Sequence, residues 1–79
     1  MEFEEFITKI RNAEPPEVIN KDGKQLVVTH DYHMIKDNLK NMDNPQLYRY
    51  QLARNAGFGH EVALEYALDI YKFLGKLFD

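Results

Sequence analysis

The chain contains neither cysteine nor serine. Without cysteine, no disulfide framework and no thiolate zinc site can supplement its core, which excludes a disulfide-stapled secreted mini-protein. Without either residue, Thr8 and Thr29 are the sole hydroxyl nucleophiles apart from the tyrosines, and no triad can be assembled from anything but isolated residues. Glycine is scarce and dispersed: Gly23 serves a turn, Gly57 and Gly59 a helix corner, and Gly75 sits inside the last helix, so no phosphate-cradling loop exists. No apolar run approaches the roughly 20 residues that span a bilayer. The opening "MEFEEFITKI" is acidic where a secretory signal would be basic. These absences lead to the expectation of a soluble, cytoplasmic protein that is not an enzyme and takes no cofactor.

What remains is enough to fold. The 79 residues are expected to form one domain, 1–79, with little stability to spare, because a chain this short buries a small fraction of its surface. A hydrophobic content of 44%, with five Phe and five Tyr, is too high for a disordered acidic segment. The formal charge of −3 is unevenly spread: residues 1–20 and 60–79 are acidic, whereas 36–54 is mildly basic through Lys36, Lys40, Arg49 and Arg54. No face is strongly basic.

Hydrophobic periodicity predicts a first helix with Phe3, Phe6, Ile7 and Ile10 on one side, ended by "EPP" at 14–16. "EVINKDGKQLVV" reads as two short strands around an Asp-Gly turn. A second helix is predicted from "THD", with Tyr32, Ile35, Leu39 and Met42 at helical spacing. In "MDNP", Asp43 or Asn44 can cap a third helix that Pro45 opens and that runs to Ala56. Gly57 is placed for a left-handed cap, with Phe58 packing back across the corner. A fourth helix, 60–78, confines its polar residues Glu61, Glu65, Asp69, Lys72 and Lys76 to an arc of about 80°. So much apolar circumference marks it as the central helix and as more than this chain can cover. The expected fold class is therefore α+β, mainly helical: an N-terminal helix, a short β-hairpin, then three helices with the C-terminal one central.

"QLARNAGFGHEVALEYAL", residues 51–68, resembles the helix-turn-helix of bacterial repressors. Ala53 and the turn Gly57 stand four positions apart, and Leu52, Ala56 and Phe58 flank them as the family requires. The resemblance implies a DNA-binding regulator that reads a groove with the start of the second helix. The residues there are Gly59, His60, Glu61, Leu64 and Glu65, two carboxylates with no Lys or Arg to meet phosphates. "AGFGHEVALEYAL" is also similar to the Met-Gly-Phe corner of ubiquitin-associated domains, with Ala56 where the methionine stands; that resemblance implies a corner that contacts protein partners.

Other chemistry is thinner. His30, Asp31 and His33 in "THDYH", with Asp37 a turn later, could be drawn as a metal site, but no further ligand or general base joins them, so no metal is expected. The pair Tyr48 and Tyr50 beside Arg49 and Arg54 has the ingredients of a stacking platform for single strands, though Tyr48 with Leu52 fits a core better. The reading that follows is a small non-enzymatic protein–protein interaction module, a regulator or inhibitor of bacterial or phage type, with nucleic acid and membrane not expected as partners and self-association expected. A helix-turn-helix transcriptional regulator is the alternative. The expected partner-binding residues are Leu64, Leu68, Tyr71 and Gly75 along the last helix, and the acidic face Glu2, Glu4 and Glu5.

Overall fold

The computed structural model describes residues 1–38 and 41–78, the side chains of His33 and Met34 apart. Leu39, expected on the second helix, lies outside the described residues. The order of elements is α1 (Phe3–Asn12), β1 (Val18–Lys21), β2 (Lys24–Val27), α2 (Tyr32–Ile35), α3 (Asn44–Asn55), α4 (His60–Leu68) and α5 (Ile70–Phe78). The architecture is mainly helical α+β with one antiparallel hairpin, as the sequence predicts.

The hairpin pairs Val18 with Val27, Ile19 with Leu26, Asn20 with Gln25 and Lys21 with Lys24. Asp22 (φ 53°) and Gly23 (φ 77°) make its two-residue turn, and two successive positive φ angles are the requirement of the hairpin-favoured type I′ geometry. Asp43 caps α3 in a reciprocal box: its carboxylate accepts from the Gln46 amide at 2.9 Å, and the Gln46 side chain accepts from the Asp43 amide at 2.9 Å. At the other end Gly57 adopts φ 98°, Phe58 N–H donates to Ala53 C=O (3.1 Å) and Gly57 N–H to Arg54 C=O (3.0 Å). That pair of bonds is the Schellman arrangement, which turns the chain from α3 into α4.

The predicted 60–78 helix is two helices. At Asp69 (φ −143°, ψ 80°) the backbone leaves helical geometry for one residue. The carboxylate of Asp69 accepts from Lys72 N–H at 3.0 Å and its carbonyl accepts from Phe73 N–H at 3.0 Å, so it N-caps α5 while closing α4 through its own N–H to Glu65 C=O. The break deprives the Tyr66 and Ala67 carbonyls of their helical donors. Arg49 supplies replacements, with Nη2 2.6 Å from the Ala67 oxygen and Nε 3.4 Å from that of Tyr66. A cation at a helix C-terminus also matches the negative end of its dipole. The second predicted helix is shorter than expected, a single turn; of its apolar residues Ile35 is fully buried and Tyr32 points to solvent.

Four aromatic rings join the elements. Phe6 of α1, fully buried, lies 5.2 Å from Phe58 at the corner, 5.1 Å from Tyr66 of α4 and 4.9 Å from Phe73 of α5. Ala53 on α3 and Ala63 and Ala67 on α4 are buried completely, and their small side chains let these two helices make the most extensive helix contact in the fold. Phe3 stacks on Phe78 at 4.6 Å, so α1 and α5 run antiparallel, Phe3 beside Phe78 and Phe6 beside Phe73.

Asp69→Ala is expected to remove the cap of α5 and cost about 1 kcal/mol. Thermal unfolding should register this as a fall of about 4–8 °C in Tm. Arg49→Met, which strips the charged donor from two partly buried carbonyls, should cost about 1.5–3 kcal/mol.

Candidate protein-binding surfaces

Helix α3 positions both halves of the molecule through two stripes of side chains. Asn44, Tyr48, Gln51 and Asn55 recur at helical spacing and hold the chain between Glu14 and His30, the hairpin included. Asn55 Nδ2 donates to Glu14 C=O (2.9 Å), the buried Gln51 accepts from His30 N–H (2.9 Å) and donates to Asn55 (2.8 Å), and Asn44 Nδ2 donates to Gln25 C=O of β2 (2.8 Å). Between these anchors Val18, Val27, Pro45 and Tyr48 enclose an open apolar pocket of about 270 Å³. The hairpin thus lies along α3, joined to it among the described residues by the Asn44–Gln25 hydrogen bond and the rim of this pocket, and both strands stay largely exposed.

The second stripe faces α4 and consumes the two arginines of the basic segment. Arg49 is held on the α4 carbonyls. Arg54 forks onto Asp31 at 3.0 and 3.5 Å and donates to Phe58 C=O at 3.1 Å. The hydrogen bond to Asp31 holds the Arg54 pKa above its ordinary value against the opposing effect of burial. Tyr50 is fully buried and shares a 2.9 Å hydrogen bond with His60 Nδ1, its phenol pushed up in pKa by burial and then by Asp31, with Arg54 opposing. The tyrosine pair therefore sorts the other way from the expected pattern: Tyr50 belongs to the core and Tyr48 lines the hairpin pocket. Neither arginine stands free to flank a stacking platform. Asp31 is committed to Arg54, the His33 side chain lies outside the described residues, and among those described no three His, Asp or Glu side chains converge as a metal site would need.

Of the expected partner-binding residues, Leu64 is partly buried against the core, whereas Leu68 (41% exposed) and Tyr71 (86%) reach solvent on either side of the Asp69 break. Gly75 is exposed, with open space where a Cβ would sit. Because the helix breaks, Leu64 and Leu68 do not continue onto α5 as a single stripe. On α5 alone, Tyr71, Gly75 and Phe78 recur at i, i+4 and i+7, and Phe78 is 70% exposed while its ring rests on Phe3. Phe78 was not among the expected residues; its place on the Tyr71 side of α5 is readable from spacing once the helix is known to restart at Ile70. Glu2, Glu4 and Glu5 are all exposed, with Glu5 bound to Lys9 at 3.3 Å. The Phe3–Phe78 stack sets this acidic first turn beside the last turn of α5. Lys76 of α5 is paired to Glu65 of α4 across the break.

Compared with protein-family models, curated proteins and solved structures, the chain matches none.

Burial also raises the Tyr66 phenol, with Arg49 opposing more weakly. A tyrosine raised in the folded state holds its proton where the unfolded chain has lost it. Its stabilisation is whole below the unfolded value near pH 10 and declines as pH rises through and beyond it. Melting temperature should accordingly fall above about pH 10, and Tyr66→Phe should flatten that fall in an alkaline thermal-unfolding series.

Proposed function

We propose that the chain is a non-enzymatic protein-binding module, a small regulator or inhibitor, whose protein partner docks on the α4–α5 surface around Leu68, Tyr71 and Phe78. The observation that carries this reading is the exposure of Tyr71, and of Phe78 at the end of the same helix, where the remaining large apolar residues, Ile70, Phe73, Leu74 and Leu77, are packed against the core. Exposed aromatic side chains are the usual energetic anchors of interfaces, since they bury much area at little entropic cost. Gly75 one turn away leaves the backbone open to close approach, and Glu2 and Glu4 give the margin a negative charge that suits a basic rim on the partner.

Against a DNA-binding regulator stands the use already made of Arg49 and Arg54. A helix-turn-helix needs cations around its corner to meet phosphates, and both arginines are spent on carbonyls and Asp31, while Glu61 is exposed at the start of α4.

A photo-crosslinking residue placed at position 71, in the cells that make the protein, is expected to yield an adduct with one discrete protein, and Tyr71→Ala should weaken capture of that protein about tenfold or more. No adduct at position 71, with salt-sensitive binding to duplex DNA instead, would reverse the assignment.

A further inference from the structure

The outer edge of the hairpin carries a different interface. In the ladder Ile19 faces Leu26 and Lys21 faces Lys24 as hydrogen-bonded pairs, and Val28 N–H continues the pattern to Glu17 C=O at 2.9 Å. Antiparallel alternation then turns the N–H and C=O of Val18 and Asn20 away from β2. The equivalent outward carbonyl of Gln25 on β2 is taken by Asn44, whereas among the described residues no hydrogen bond reaches the outward groups of β1. Side chains alternate too, so Glu17, Ile19 and Lys21 share one face with Lys24 and Leu26. On that face Ile19 (41%) and Leu26 (42%) are exposed. Lys21 and Lys24 sit directly opposite each other, a like-charge pairing that costs stability. Glu17 forms no ion pair among the described residues.

We propose that a second copy of the chain pairs antiparallel along β1, Ile19 opposite Ile19 on the two-fold axis, joining the two hairpins into one continuous four-stranded sheet. In this register Val18 of each copy meets Asn20 of the other, so all the outward main-chain groups of both residues are satisfied. Glu17 of each copy meets Lys21 of the other, which relieves the repulsion between Lys21 and Lys24. Ile19 and Leu26 from both copies merge into one apolar strip. The lysine beside an open edge ordinarily discourages pairing; here it selects the register. Parallel in-register pairing sets Lys21 against Lys21, and antiparallel pairing centred on Asn20 sets Ile19 against Lys21. A lone two-stranded hairpin is marginal in water, and further strands stabilise it. This interface is independent of the α4–α5 surface.

Sedimentation equilibrium on the whole chain tests the pairing. A dimer is expected, weakened about tenfold or more by Glu17→Lys and by Lys21→Glu, each of which replaces two attractions with two repulsions. The double exchange, Glu17→Lys with Lys21→Glu, should restore it, and Tyr71→Glu should leave it intact. Amide exchange at Val18 and Asn20 should slow as protein concentration rises. The proposal is overturned by a monomer at millimolar concentration in low salt, by a dimer indifferent to both charge reversals, by single-variant losses that the double exchange does not recover, or by a dimer that Tyr71→Glu dissolves.

Discussion

The fold depends on what happens at Asp69. A helix running unbroken from His60 to Phe78 would present apolar residues around most of its circumference, and α1 with one face of α3 could not cover them. By capping a new helix at that point, Asp69 lets α5 leave the line of α4 and turn its own face, Phe73, Leu74 and Leu77, toward the core and α1. Helix-terminal carbonyls without donors would make the break expensive in a half-buried place. Arg49, reaching across from α3, removes that expense. One carboxylate and one guanidinium thereby turn an over-greasy rod into two amphipathic pieces, and the apolar surplus shrinks to Leu68, Tyr71 and Phe78.

This explains which features of the chain could be read in advance. Signals that act within a few residues were legible: Asp43 and Pro45 at the start of α3, Gly57 at its end, Asp22-Gly23 between the strands. Each works through its own φ angle or its own side chain, so no knowledge of the rest of the fold is needed. Asp69 was legible as polar but not as a cap, because its neighbours Leu68 and Ile70 continue the helical pattern and the donors that make the break tolerable sit 20 positions earlier in the chain. Tyr48 and Tyr50 show the same limit. Their spacing says that they point apart, and only the positions of the hairpin and His60 decide which of them is buried.

The same long-range commitments bear on function. By sequence alone the segment 36–54 is the one basic stretch of an acidic chain, and charge counting treats Arg49 and Arg54 as free to meet phosphates. In the folded chain both are structural: one closes a helix and the other joins the corner to Asp31. Formal charge on a stretch of sequence therefore overstates the charge it can offer a ligand. What α3 and α4 share is a packed and hydrogen-bonded joint, with alanines at its centre and the arginines as its bolts. The corner that resembles a DNA reader is built from the same parts, small residues where two helices touch and a glycine where the chain reverses, because any tight helix corner needs them.

The hairpin presents the converse case, an element whose exposure is the informative property. Its strands add almost nothing to the core, since every residue but Val27 is exposed, and its attachment to α3 among the described residues is one amide side chain, Asn44, beside the apolar pocket of Val18, Val27, Pro45 and Tyr48. Such an element contributes little to the stability of an isolated copy, and hydrogen bonds in partial contact with water bring only about a kilocalorie each. Val18, Ile19 and Leu26 nevertheless carry the β-branched and aliphatic side chains suited to a covered sheet, in strands too short to cover one another. Val18 and Val27 meet Pro45 and Tyr48 within the monomer, but polar residues in place of Ile19 and Leu26 would meet its needs equally well. The apolar choice makes physical sense if further strands extend the sheet, which locates the reason for these residues outside the single chain.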